Sequence, residues 1–134
     1  MVKQKTIQKE VTLKGVGLHT GQEVTMTFKP APINHGFTFV RVDLEGSPII
    51  EADANYVVNT QRGTNIEKNA VKIQTSEHVL AACMGCDLDN LIIELNASEP
   101  PIMDGSSKYF VQAIEEAGIV EQEAERSVYV VKEV

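Results

Sequence analysis

The sequence predicts an α+β domain, a single mixed or antiparallel β-sheet with two main helices packed on one face. Three observations carry this. Short segments that alternate apolar and polar residues recur along the chain, separated by Gly, Pro and Asn. Two segments break that pattern and space their apolar residues as helices do. Finally, 134 residues, 43% of them hydrophobic and 23% charged, are the size and composition of one compact domain. Many strands with two separated helices fit an α+β arrangement.

The elements follow in order. Thr6 to Leu13 alternates roughly and Glu23 to Phe28 (EVTMTF) strictly, so each predicts a half-buried strand. Between them GVGLHTG, with Gly15, Gly17 and Gly21, suits a tight connection. Phe37 to Val42, Tyr56 to Val58, Val71 to Gln74 and Leu91 to Leu95 are further strands, with Gly46, Pro48 and Asn55 as breakers. The first helix is capped by Thr75 or Ser76, runs EHVLAACM and ends at Gly85. It is apolar almost all round, which predicts a largely buried helix. The second opens at Ser106 or Ser107, spaces Phe110, Ala113, Ile114 and Ala117 on one stripe, and closes at Gly118. A last strand is expected at Val128 to Val131.

Composition excludes several function classes. The net charge of -7 gives no electrostatic footprint for nucleic acid. The acidic excess is uneven, with Glu115, Glu116, Glu121, Glu123 and Glu125 near the C-terminus and Lys3, Lys5, Lys9 and Lys14 at the N-terminus. A charge run of this kind reads as a solvated face or a linker. The longest apolar run, Val79 to Met84, is far short of the roughly 18 residues a membrane span needs. No signal-peptide pattern follows the N-terminal lysines, and two cysteines are no disulfide framework, so a cytoplasmic protein is expected.

Thr75-Ser76-Glu77-His78 sets a carboxylate and an imidazole in the first turn of an otherwise uncharged helix. Two readings stay open. Glu77 can simply complement the helix dipole with His78 at the solvent edge. Alternatively, His78 ligates a metal and Glu77, about 100° around the helix, is general base to a water. A catalytic zinc takes three protein ligands, so His78 needs two companions. Cys83 and Cys86 lie about 140° and 80° around the helix from it, and His19 and His35 fall on expected loops. The CxxC-like Cys83-Met84-Gly85-Cys86 sits at the helix's C-terminal end, where the dipole opposes a thiolate, so these read as small core residues. GVGLHTG can be an anion cradle or a plain strand connection; it lacks the Lys-Ser/Thr of a P-loop. Pro100 to Ser106 can be a rigid turn feeding a capped helix, with Asp104 as an accessory at its start.

Taken in order, GVGLHTG (15–21), PAPINHGFTFVRVDL (30–44), TSEHVLAA (75–82) and DNLIIELNASEPPIMDGSS (89–107) resemble the N-terminal half of the zinc-dependent UDP-3-O-acyl-N-acetylglucosamine deacetylases of lipid A synthesis in Gram-negative bacteria. The resemblance implies a fold like one of the two related domains of that enzyme. It further implies Zn2+ as cofactor with His78 as one of three protein ligands, and Glu77 as the catalytic base. Together they would activate a water that attacks the 2-acetamido carbonyl of UDP-3-O-acyl-N-acetylglucosamine and releases acetate. Leu18, His19, Thr20, Thr60, Gly63 and Thr64 are implied to line the substrate cleft, with Asp104 supporting it. The family's other ligands and basic residues come from a second domain, which this chain lacks. The expected division is therefore 1–120 as the N-terminal deacetylase domain and 121–134 as linker and first strand of the second. The expected partners are the nucleotide-sugar substrate and that missing domain. A chain without it is expected to be inactive alone and to self-associate through its exposed interdomain face. The other function class is a non-catalytic α+β module that binds a nucleotide-sugar or a protein.

Overall fold

The computed structural model describes residues 2–52, 57–60, 63–68 and 71–126, of which 57–60 and 63–64 by backbone alone. The strands are β1 (Lys3–Ile7), β2 (Val11–Val16), β3 (Glu23–Pro30), β4 (Phe37–Arg41), β5 (Ile49–Glu51), β6 (Val57–Thr60), β7 (Gly63–Lys68), β8 (Val71–Ile73), β9 (Leu91–Leu95) and β10 (Ile119–Glu125). The helices are α1 (Glu77–Gly85) and α2 (Lys108–Ala117). The fold is α+β, as expected from the alternation. Its described strands form three sheets rather than one: a five-stranded sheet in the order β2-β3-β9-β4-β5, a three-stranded β6-β7-β8, and the pair β1-β10. The large sheet is antiparallel except where β4 runs parallel to β9.

Alternation builds the core. In β3 the residues Val24, Met26 and Phe28 are buried, and in β9 Leu91, Ile93 and Leu95. Their register aligns Val11, Phe28, Ile93, Phe39 and Ile50 in one row across all five strands. Cross-strand apolar neighbours on one face are the unit of sheet stability. The α2 stripe of Phe110, Ala113, Ile114 and Ala117 is buried as its spacing requires. Arg41 joins two sheets: its guanidinium grips the Asp43 carboxylate and also donates from Nη1 to the Lys72 carbonyl oxygen at 3.0 Å.

Several expectations are corrected. The Thr6–Leu13 strand is two, β1 and β2, broken at residues 8–10 because the halves join different sheets. Helix α1 is not largely buried: Val79, Ala82 and Cys83 face the core, whereas Ala81 and Met84 are exposed, Met84 at 73%. Strand β7 is absent from the expected elements; it forms a hairpin with β6 in which Thr60 pairs with Gly63. Of the two readings of the acidic run the solvated face holds and the linker does not: Glu115 and Glu116 lie exposed on α2, and the exposed Glu121, Glu123 and Glu125 lie on β10 opposite the lysines of β1, where Lys3 Nζ is 3.8 Å from Glu123 Oε1. The boundary drawn at residue 120 falls inside β10. The Val128–Val131 strand and Tyr56 lie outside the described residues. Among the described residues, no helix is long and apolar enough to cross a membrane.

Between β1 and β10 the register slips, so that Lys3 pairs with Glu125 but Lys5 with Glu121. The slip lets the buried Gln4 side chain leave the ladder. Its Nε2 donates to Asn34 Oδ1 and to the Glu125 carbonyl, while its Oε1 accepts from the Asn34 N–H and from Asn90 Nδ2. Arg126, one residue beyond β10, grips the Asp89 carboxylate through Nε and Nη2 at 2.8 and 2.9 Å and reaches Asp87 through Nη1 at 2.9 Å.

Candidate functional site

Glu77 and His78 open α1, where the chain leaves β8. Ser76 is the N-cap and wholly buried, but it makes no side-chain bond to the helix's first-turn N–H groups. Thr75, the other expected cap, turns elsewhere: its hydroxyl donates to Glu99 Oε2 at 2.7 Å. Its backbone has φ +51°, the left-handed region where a β-branched residue is an outlier costing on the order of 1–3 kcal/mol. A second bond holds it there, from its N–H to Asn65 Oδ1 at 3.1 Å. The His78 imidazole is 36% exposed, its Nε2 4.0 Å from Glu77 Oε1.

The Gly-rich segment approaches from the other side. Gly15 and Val16 end β2, and the chain turns back with Gly17 N–H donating to Gln22 O at 3.0 Å and Gly21 N–H to Gly17 O at 3.1 Å. The loop closes over Glu99, whose Oε1 accepts from the backbone N–H groups of His19 at 2.9 Å and Thr20 at 3.1 Å. A Cβ at Gly17 would stand 2.5 Å from that same oxygen and 2.5 Å from Thr20 Oγ1, so only glycine fits. Likewise a Cβ on Gly15 would meet Pro101 Cβ at 2.7 Å.

Glu99 is thus the pivot of the region, and sequence reading missed it. Its side chain is buried, 1% exposed. Burial alone would raise its carboxyl, but the Thr75 hydroxyl and the Thr20 and His19 amides outweigh this and hold it below the usual range. A carboxylate surrounded by three converging donors is acceptor-only and satisfied. Among the described residues no buried side-chain nitrogen or oxygen lacks a partner.

A narrow crevice brings Leu18 and His78 together with Thr75, Glu99 and Pro100. Asp104 lies elsewhere, in a shallow groove with Val16, Met103 and Tyr109. Its Oδ1 accepts from the Ser106 hydroxyl at 2.7 Å and the Ser106 N–H at 3.0 Å, bonds that lower its pKa and shape the turn into α2. Thr60, Gly63 and Thr64 lie where β6 meets β7, and only their backbone is described. Cys83 is buried and its thiol pushed up to about 12 by that burial, the opposite of what a redox centre needs.

For a metal, the start of α1 offers a part-exposed imidazole, His78, with the Glu77 carboxylate beside it. Among the described residues no three His, Cys, Asp or Glu side chains lie close enough to hold an ion. Of the three protein ligands that a catalytic zinc takes, the start of α1 could supply one, His78.

Comparisons with known proteins point to one family. The sequence profile described as "LpxC: UDP-3-O-acyl N-acetylglycosamine deacetylase" matches residues 4–134. A protein of Bacteroides thetaiotaomicron named "Bifunctional enzyme LpxC/FabZ" is 49% identical over 98% of this chain and 29% of its own length. The proteins named "UDP-3-O-acyl-N-acetylglucosamine deacetylase" of Xanthomonas campestris and Psychrobacter are 48% and 46% identical, over 91% and 92% of this chain and 40% and 41% of their own lengths. The chain thus spans well under half of each of these relatives. By its profile match over nearly its whole length, this chain belongs to the LpxC, UDP-3-O-acyl N-acetylglycosamine deacetylase, family.

Proposed function

We propose that this chain is the N-terminal half of a zinc-dependent amidohydrolase that removes acetate from UDP-3-O-acyl-N-acetylglucosamine in lipid A biosynthesis. It contributes Glu77 as general base and His78 as one zinc ligand, and it is inactive alone. The observation that carries the reading is the part-exposed Glu77–His78 pair at the start of α1, with His78 lining the Leu18 crevice and no cluster of three metal-ligating side chains among the described residues. Family membership supports the chemistry named.

Zinc, when bound, polarises a carbonyl and makes water a better nucleophile near neutral pH. The chain's own residues do the rest. His78 presents a ring nitrogen whose position is set by the first turn of α1. Glu77 takes a proton from the attacking water as its oxygen bonds to the acetamido carbon. It then passes that proton to the nitrogen as the C–N bond breaks, leaving acetate and the free amine. Exposed apolar side chains at Leu18 and Met84 supply surface for the remainder of the enzyme to cover.

Mixing this chain with the separately produced remainder of the enzyme tests the reading. Deacetylation is expected from the mixture and from neither part alone, and Glu77→Gln or His78→Ala should abolish it. A soluble, folded mixture without turnover, where the intact enzyme works, overturns it. Nucleotide-sugar binding to this chain alone that survives Glu77→Ala and His78→Ala would instead identify a non-catalytic module.

A further inference from the structure

The two oxygens of Glu99 are shared between two distant stretches of chain that the reading above places in the site. Oε1 holds the loop of Leu18, His19 and Thr20 through two backbone N–H groups, and Oε2 holds Thr75, two residues before Glu77. The stretch that carries Glu99 is itself fixed, since Ser98 O accepts from Gln74 N–H at 2.6 Å and Val16 O accepts from Ile102 N–H at 2.8 Å. Nothing in catalysis requires Glu99 to touch a substrate, and it is too buried to do so.

We infer that Glu99 is a positioning residue: it holds Thr75 in left-handed backbone and thereby sets the direction in which α1 presents Glu77 and His78 to the Leu18–Thr20 loop. The inference rests on the role proposed above for Glu77 and His78. Its physical basis is chain continuity. A β-branched residue keeps to the left-handed region only while its surroundings over-determine it, and of the two bonds that do so at Thr75 one is to Glu99 and the other to Asn65 Oδ1. A changed φ at residue 75 swings everything that follows, beginning with the first turn of the helix. On the other side, losing Oε1 releases two amides that otherwise fix the loop opposite. A shift of about 1 Å between a base and its target can cost roughly 100-fold in rate. The isostere glutamine can keep all three contacts: its oxygen faces the two amides, and its NH2 donates to the Thr75 hydroxyl, which reverses its role.

The test uses the intact zinc-loaded enzyme carrying this segment, with kcat and KM measured for each variant and hydrogen exchange followed in peptides covering 15–22 and 74–79. Glu99→Ala is expected to lower kcat about 100-fold with KM changed less than about threefold, and to speed exchange in both peptides. Glu99→Gln is expected to recover kcat to within about fivefold and to restore protection. Should Glu99→Ala fail to fold, Thr75→Val keeps the shape, removes the hydroxyl, and is expected to lower kcat about tenfold. Unchanged kcat per folded molecule in Glu99→Ala or Thr75→Val overturns the inference, and so does a change confined to KM. A Glu99→Gln enzyme as slow as Glu99→Ala also overturns it, since the charge itself would then matter. If Glu77→Gln and His78→Ala leave turnover intact, the proposed function has failed. If those two abolish turnover while Glu99→Ala is silent, only the positioning role has.

Discussion

Replacing Gly17 by alanine puts a methyl group where the structure has no room. The added carbon would lie 2.5 Å from both Glu99 Oε1 and Thr20 Oγ1. Thr20 can rotate its hydroxyl away, but Glu99 is tied by the amides of His19 and Thr20 and by the Thr75 hydroxyl. Moving Oε1 aside sacrifices the two amide bonds, each worth roughly 1.5–3 kcal/mol because the acceptor is charged. Loss of about 3–6 kcal/mol is offset by about 0.4–1 kcal/mol, since alanine restricts the unfolded chain more than glycine does. The net destabilisation is about 2–5 kcal/mol, or a Tm lowered by about 10–20 °C for a domain of this size. Thermal and urea unfolding of the purified chain measures it, with Gly21→Ala as reference. Gly21 has φ +66° and nothing within 4 Å of an added Cβ, so its loss reports backbone strain alone, roughly 1–2 kcal/mol. Because the clash is with Glu99, the penalty at residue 17 should shrink sharply in a Glu99→Ala background. A Gly17→Ala chain as stable as the parent, or penalties that simply add in the double variant, would refute the reasoning.

The Glu99 carboxyl lies below its ordinary value of 4.5 in the folded chain, so it stabilises the fold above that pH and the contribution is lost as pH falls through the lower folded value. Unfolding followed from pH 6 downward should therefore show a smaller acid loss in Glu99→Gln than in the parent. Arg126→Ala should loosen the end of β10 by removing its grip on Asp87 and Asp89, seen as faster hydrogen exchange along β1 and β10, with a difference that narrows at high salt because the cluster is partly exposed. Iodoacetamide should modify Cys86 well before Cys83, which is buried with its thiol at about 12; peptide mass mapping of a time course gives the order.

What was legible in the sequence is what local periodicity can carry. Strand β9 runs from Leu91 to Leu95 as the sequence predicts, and α2 buries the four residues its spacing selects, because each presents one face to a core. The break between β1 and β2 left only a faint mark: Gln8, Lys9 and Glu10 are three polar residues in a row, but Ile7, Val11 and Leu13 keep the same parity across them, and what separates the two strands is their different partners. In α1 every face is apolar, so no moment says which one the core takes. At the candidate site, Glu77 and His78 were found by their contrast with that helix, whereas Glu99 was missed. It stands among Ser98, Pro100 and Pro101, where a carboxylate is ordinarily solvated, and what buries it are donors contributed by residues 19, 20 and 75. The pairing of a Lys-rich start with a Glu-rich end did carry a signal, since opposite charges suit facing positions on neighbouring strands.

The β1-β10 ribbon also decides how the domain bears load. Its free end is the Lys3–Glu125 pair, beside which Arg126 N–H donates to Val2 O at 2.7 Å. Opposed tension applied through residues 2 and 126 pulls the two strands apart sideways, so their hydrogen bonds are loaded one after another, as in a zip, and not all at once in shear. The guanidinium grip on Asp87 and Asp89 sits at the mouth of that zip and shares the first load with the Arg126–Val2 backbone bond. Mechanical yield then begins at that mouth, and the core row of Phe28, Ile93 and Phe39 is strained only after the ribbon has opened.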